Sequence, residues 1–183
     1  MVSTVWFTGY INYELNIFKD NDFRIKIIKQ IIYNNIVNLL NKGMKWIITG
    51  GNNGIEQWTI EVANEIKKDY KFLKIAMILP FNGFGDTWND VNKSKLKKRI
   101  KCCDYNVSIT KKGYKSSRQF IVYQRFMLKH ADEIILFYDP NINCKSKYLY
   151  KYIQMNRDLY SYKLIDMDYL ELFFENNYYL FFK

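Results

Sequence analysis

Proline and histidine are almost missing from this chain, with two prolines and one histidine in 183 residues. With so few prolines and only eight glycines, no flexible linker or low-complexity segment divides it. The expectation is a single domain over 1–183, long enough to bury a core. Cysteine is scarce as well. Cys102, Cys103 and Cys144 are odd in number, two are adjacent, and no C-x-x-C occurs, which indicates neither a disulfide framework nor a zinc site. His130 stands near a predicted helix end, where a cap or dipole contact is the ordinary role. No serine or cysteine partner for a triad is evident, and no carboxylate–histidine cluster points to a metal, so neither metal nor cofactor is expected. No apolar run reaches the roughly 18 residues that span a bilayer. The start, Met1-Val-Ser-Thr-Val-Trp6, lacks the pattern of a signal peptide. A soluble cytoplasmic protein without a membrane partner is expected.

Acidic residues are also in deficit: 28 Lys and Arg against 18 Asp and Glu leave a net charge of +10. Such a field attracts polyanions, yet a charge excess by itself names no partner. A solvated basic face is the plainer reading and nucleic acid the less favoured one.

What the chain does have is alternation of strand and helix. Val2 to Thr8 reads as a strand broken by Gly9, and Asp22 caps a helix whose Ile25, Ile28, Ile32, Ile36, Leu39 and Leu40 keep helical spacing to Gly43. Ile47 and Ile48 form a second strand. A third, Leu73 to Leu79, is expected to stop at Pro80. A basic helix around Lys93 to Lys101, a short strand at Val107 and Ile109, and a helix from Ser116-Ser117 follow. A strand at Glu133 to Tyr138, a helix at Lys147 to Leu159, a strand at Lys163 to Ile165 and a last helix from Tyr169 complete the order. This predicts an α/β, Rossmann-like, mainly parallel sheet with helices on both faces and a ligand crevice at the C-terminal ends of the strands.

The most informative stretch is Gly50-Gly-Asn-Asn-Gly-Ile-Glu-Gln-Trp58. It places glycines between a strand and a helix whose inward face is Ile55, Thr59, Val62, Ala63 and Ile66. Glycines let backbone N–H groups approach a ligand, and a helix N-terminus favours an anion. The spacing is neither that of the P-loop nor G-x-G-x-x-G, so a plain turn stays open beside a nucleotide pocket. Glu56 could serve the helix dipole or contact a ribose, and Trp58 could be core or stack on a base. Tyr10 and Trp88 lie on loops at strand ends, where stacking on a ligand is the preferred reading. For Glu14 a structural role in the first loop is preferred.

Several motifs together resemble the YpsA-like proteins of the SLOG superfamily, which also includes DprA and the LOG phosphoribohydrolases. They are Thr8-Gly9-Tyr10, Tyr13-Glu14-Leu15, Gly50-Gly51 with Gly54, Glu56 and Trp58, Pro80-Phe81 with Trp88, Tyr114, Ser116, Gln119 and Phe120, and Tyr138-Asp139. The likeness covers Thr4 to Asp168. Departures are Ser116-Ser117 for Ser-Pro, Gln124 for Asn, and Cys144-Lys-Ser-Lys-Tyr148 for a glycine- and proline-bearing turn. The resemblance implies a Rossmann-like fold binding a nucleotide or nucleotide-derived small molecule. It also implies a regulatory role in stress, cell division or defence. On this reading Gly9, Tyr10, Gly50, Gly51, Gly54, Glu56, Trp58 and Trp88 form the ligand site, with Glu56 as the candidate catalytic group. The alternatives are a LOG-like N-glycosidic hydrolase, using Glu56 or Glu61, and a DprA-like single-strand binder. The apolar C-terminal segment suggests a homodimer.

Overall fold

The computed structural model describes residues 2–181. Six strands form one parallel sheet in the order β4-β3-β2-β1-β5-β6. They are β1 (Thr4–Gly9), β2 (Trp46–Thr49), β3 (Lys74–Phe81), β4 (Tyr105–Thr110), β5 (Glu133–Phe137) and β6 (Ser161–Ile165). Seven α-helices lie among the described residues: α1 (Phe23–Asn41), α2 (Ile55–Ile66), α3 (Asp90–Cys102), α4 (Arg118–His130), α5 (Lys147–Met155), α6 (Met167–Asn176) and α7 (Tyr178–Phe181). The central strand β1 carries Val5, Trp6 and Phe7, all buried, the continuous apolar run of a strand covered on both faces.

From β1 to β4 the chain steps in one direction across the sheet, and from β4 to β6 it steps past β1 in the other. Right-handed crossovers therefore put α1, α2 and α3 on one face and α4 and α5 on the other. Helix α2 packs on α1 and α3, and α4 packs on β3, β1 and β4. Helix α6 returns to α1, with Phe23 and Phe174 6.0 Å apart between ring centroids. Among the described residues no helix is long and apolar enough to cross a membrane.

Local chemistry sets the boundaries. The Asp22 side chain accepts from Arg24 N at 3.0 Å and opens α1, and Gly43 closes it at φ 97°. Asn89 caps α3 by accepting from Asn92 N at 2.9 Å. Helix α4 begins without a side-chain cap at Ser117; Gln119 instead accepts from Lys115 N at 2.6 Å and Ser116 N at 3.2 Å.

Pro80 does not end β3, which continues to Phe81. Lys74 N donates to Lys45 O on the β2 side, and a two-residue repeat turns Pro80 toward the same side. There β2 has already stopped at Thr49, which pairs with Met77. The N–H that proline lacks would have had no strand to meet.

Candidate ligand site at the glycine loop

The loops at the C-terminal ends of β1 and β2 are laced together. Asn12 N donates to Asn53 O and Ile55 N to Tyr10 O, at 2.9 and 3.1 Å. Gly54, at φ 134°, lies so close to this loop that a Cβ would stand 2.5 Å from Tyr10 O. Its role is to seat one loop on the other, because side chains other than hydrogen do not tolerate that backbone.

Glu56, on the first turn of α2, is buried. Its Oε1 accepts from Thr8 Oγ1 at 3.0 Å, and its Oε2 accepts from Asn52 N and Asn52 Nδ2, both at 2.8 Å. Burial raises its pKa against the lowering effect of these bonds. With Oε2 doubly engaged, the carboxyl retains one acceptor position on Oε1. Gly50 lies directly beneath: a Cβ there would meet Glu56 Oε2 at 2.4 Å and the Tyr123 hydroxyl at 2.6 Å. That hydroxyl is buried with no hydrogen-bond partner among the described residues, as is the nearby Trp6 Nε1. The two rings stand edge to face, 6.3 Å between centroids. Burial first, then the Glu56 charge, pushes the Tyr123 phenol well above its ordinary pKa, so it is a donor. A bare backbone, a carboxyl and an unspent donor thus converge from β2, α2 and α4.

The other predicted residues are distributed differently. Gly51 packs: a Cβ would strike Leu79 Cδ2 at 2.6 Å and Leu96 Cδ1 at 2.9 Å. Gly9 lies against Phe137 of β5, with 2.4 Å from such a Cβ to Phe137 O. Tyr10 is only 1% exposed and its hydroxyl accepts from Asp139 N at 2.7 Å. Its ring is a strut between the β1 and β5 loops, with no open face for a base. Trp58 is buried on the outer side of α2, where it borders a cavity between α1, α2 and α3. Trp88 is half-buried and packs edge to face on Phe84 at 5.3 Å.

The aromatic rings presented beside the glycine loop are Tyr114 and Phe120, both exposed and both packed on Phe81, at 5.3 and 5.7 Å. Phe84 joins this cluster to the loop, 3.5 Å from the Cβ position of Gly51. Tyr123 falls within the helix predicted from Ser116-Ser117, and nothing in helical spacing marks a buried hydroxyl as unpartnered. Glu14 holds the rim, accepting from Ile11 N at 2.8 Å and from Lys145 N at 3.0 Å. It thereby fixes the Cys144–Tyr148 turn despite its lack of glycine and proline. His130 Nδ1 lies 2.7 Å from Phe126 O at the end of α4, a local helix-end contact.

A parallel sheet with a glycine loop after β2, a buried carboxyl from α2 and, from α4, a buried phenol unpaired among the described residues defines a Rossmann-like protein with a candidate polar site at the strand ends. The chain belongs to the YspA SLOG family, whose model matches residues 5–170. It is 40% identical over 173 residues to a UPF0398 protein of Ligilactobacillus salivarius, covering 93% of this chain and 94% of that one. It is 42% identical over 172 residues to a UPF0398 protein of Leuconostoc citreum, covering 93% and 91%. One from Oenococcus oeni is 42% identical over 174 residues, covering 93% of each.

Proposed function

We propose that this protein binds a nucleotide or nucleotide-derived small molecule over Gly50, as a regulatory ligand in stress, cell division or defence. The observation that carries the reading is the convergence of Glu56, the Tyr123 hydroxyl and the side-chain-free Gly50 within contact distance. A ribose hydroxyl suits that corner, since it can donate to the free position on Glu56 and accept from Tyr123. The start of α2 offers an anion the partial positive charge of a helix end, and Tyr114 and Phe120 offer ring faces for a base. Native mass spectrometry of the purified protein, with extraction of any carried molecule, tests this directly. Titration with a panel of nucleoside mono- and diphosphates completes the test. Binding that weakens at least tenfold in Tyr123→Phe or Glu56→Gln is expected. Absence of binding across the panel, or binding indifferent to both changes, would remove the assignment.

A catalytic reading has one observation in its favour: burial raises the Glu56 pKa, as suits a general acid for an N-glycosidic bond. Glu61, the other acid suggested by the sequence, is ion-paired to Lys29 at 2.5 Å and also to Arg99, on the outer side of α2. Release of free base from nucleoside monophosphates, lost in Glu56→Gln, supports catalysis; no release above that variant excludes it.

A further inference from the structure

On the opposite side of α2 from Gly50, two adjoining cavities of about 180 and 350 Å³ open between the start of α1, α2 and α3. They share Asp20, Ile25, Asn53, Trp58 and Lys95, so they form one cleft of the size that takes a small ligand. Three cations, Lys29, Lys95 and Arg99, face two carboxylates, Asp20 and Glu61. The ion pairs present are Lys29–Glu61 and Lys95–Asp20, both at 2.5 Å, with Arg99 also on Glu61. Glu65 adds a third carboxylate that acts on Lys29. Arg99 Nε is in addition buried without a hydrogen-bond partner among the described residues, although a guanidinium is built to hold oxyanions in a fork. Burial pulls the pKa values of Lys29 and Arg99 down, against the raising effect of Glu65 on Lys29 and of Asp20 on both.

We propose that this cleft is a second binding site, for a small phosphorylated metabolite. Its phosphate would lie against the Arg99 guanidinium with Lys95 and Lys29, and its remainder against Trp58 and Ile25. The site is independent of the ligand proposed over Gly50, but the two share walls. Gln57, which lines the cleft, donates to Gly51 O at 2.9 Å, and Asn53 of the glycine loop donates to Asn92 of α3 at 3.1 Å. A molecule seated here would bear on the glycine loop through both bonds, which is the arrangement of an effector site.

The probe is inorganic pyrophosphate added to the full chain, followed by the indole N–H resonance of Trp58 (assigned with Trp58→Phe) and by titration calorimetry. Saturable movement of that resonance is expected, with affinity reduced at least tenfold in Arg99→Lys, which keeps the charge but loses Nε, and in Lys95→Gln. Should Arg99→Lys fail to fold, Lys95→Gln carries the comparison alone. Pyrophosphate binding that survives Glu56→Gln and Tyr123→Phe separates this cleft from the site over Gly50. A Trp58 resonance that does not move, or affinity equal in wild type and Lys95→Gln, overturns the proposal. Affinity lost in Glu56→Gln but kept in Lys95→Gln would place the anion at the glycine loop instead and overturn it equally.

Discussion

At the scale of single residues, neighbouring glycines of one loop do different work. A methyl group at Gly50 would press on Glu56 Oε2 and the Tyr123 hydroxyl, whereas one at Gly51 would press on Leu79 and Leu96. Both substitutions overpack, so Gly50→Ala and Gly51→Ala should each destabilise by about 1–3 kcal/mol in urea denaturation. Only Gly50→Ala should also abolish nucleotide affinity in calorimetry, and equal losses from both would mean that the ligand touches neither Glu56 nor Tyr123. The carboxyl itself makes a prediction about pH. Because burial raises its pKa in the folded state, its contribution to stability is complete below the unfolded value and is lost as pH rises through the folded one. Glu56→Gln cannot ionise, so its stability relative to wild type should improve as pH rises above the unfolded carboxyl value of about 4. A difference in unfolding free energy that stays flat across that range would show that Glu56 ionises as freely folded as unfolded.

At the scale of elements, an exposed carboxylate ties β1 to the turn before β5 at the N-terminal edge of the sheet. Asp132 accepts from Ser3 N and Thr4 N, both at 2.8 Å, fastening the start of β1 to the turn before β5. The bonds from Thr4 and Ser3 hold its pKa below the ordinary value. That stabilisation is present above the unfolded pKa and is lost as pH falls through the folded one. Asp132→Ala should therefore lower the unfolding free energy by about 1 kcal/mol at neutral pH, with the deficit shrinking in acid; a deficit that persists in acid would point to some other cause. Elements of this kind are legible in sequence where one local rule decides them. Asp22, the isoleucine spacing and Gly43 bounded α1, and Asp139-Pro140 closed β5. Pro80 misled because its tolerance depends on where the neighbouring strand stops, a tertiary fact. Tyr10 and Trp58 could not be oriented from the sequence for a related reason: an aromatic on a loop or a first helical turn can face either way, and here one is a strut and the other a wall of a different cleft. The glycine turn before α2 was legible as a turn because few residue types fit a tight turn before a helix, but which glycine meets Glu56 and which packs on leucines was not. Tyr123, supplied from the opposite face of the sheet, had no local signature.

At the scale of the whole molecule, the direction of strand addition reverses at β1, between β2 and β5, and ligands of open parallel sheets gather at such a reversal. In this protein the β1–β5 side of that point is closed. Gly9 lies on Phe137, and the Tyr10 hydroxyl already holds Asp139 N. On the β1–β2 side, α2 from one face and α4 from the other bring Glu56 and Tyr123 to Gly50. The topology therefore makes the candidate site a meeting of two layers rather than a feature of one loop. Hydrogen exchange should read this out. Adding the nucleotide identified by native mass spectrometry should raise protection at 50–56 and at 118–123 together. The Asp139 amide, bonded to Tyr10 in the free protein, should change little because it is protected from the start. If protection rises instead at 9–12 and 138–141, the ligand enters between β1 and β5, the Tyr10 strut must open to admit it, and Gly50 is not its floor.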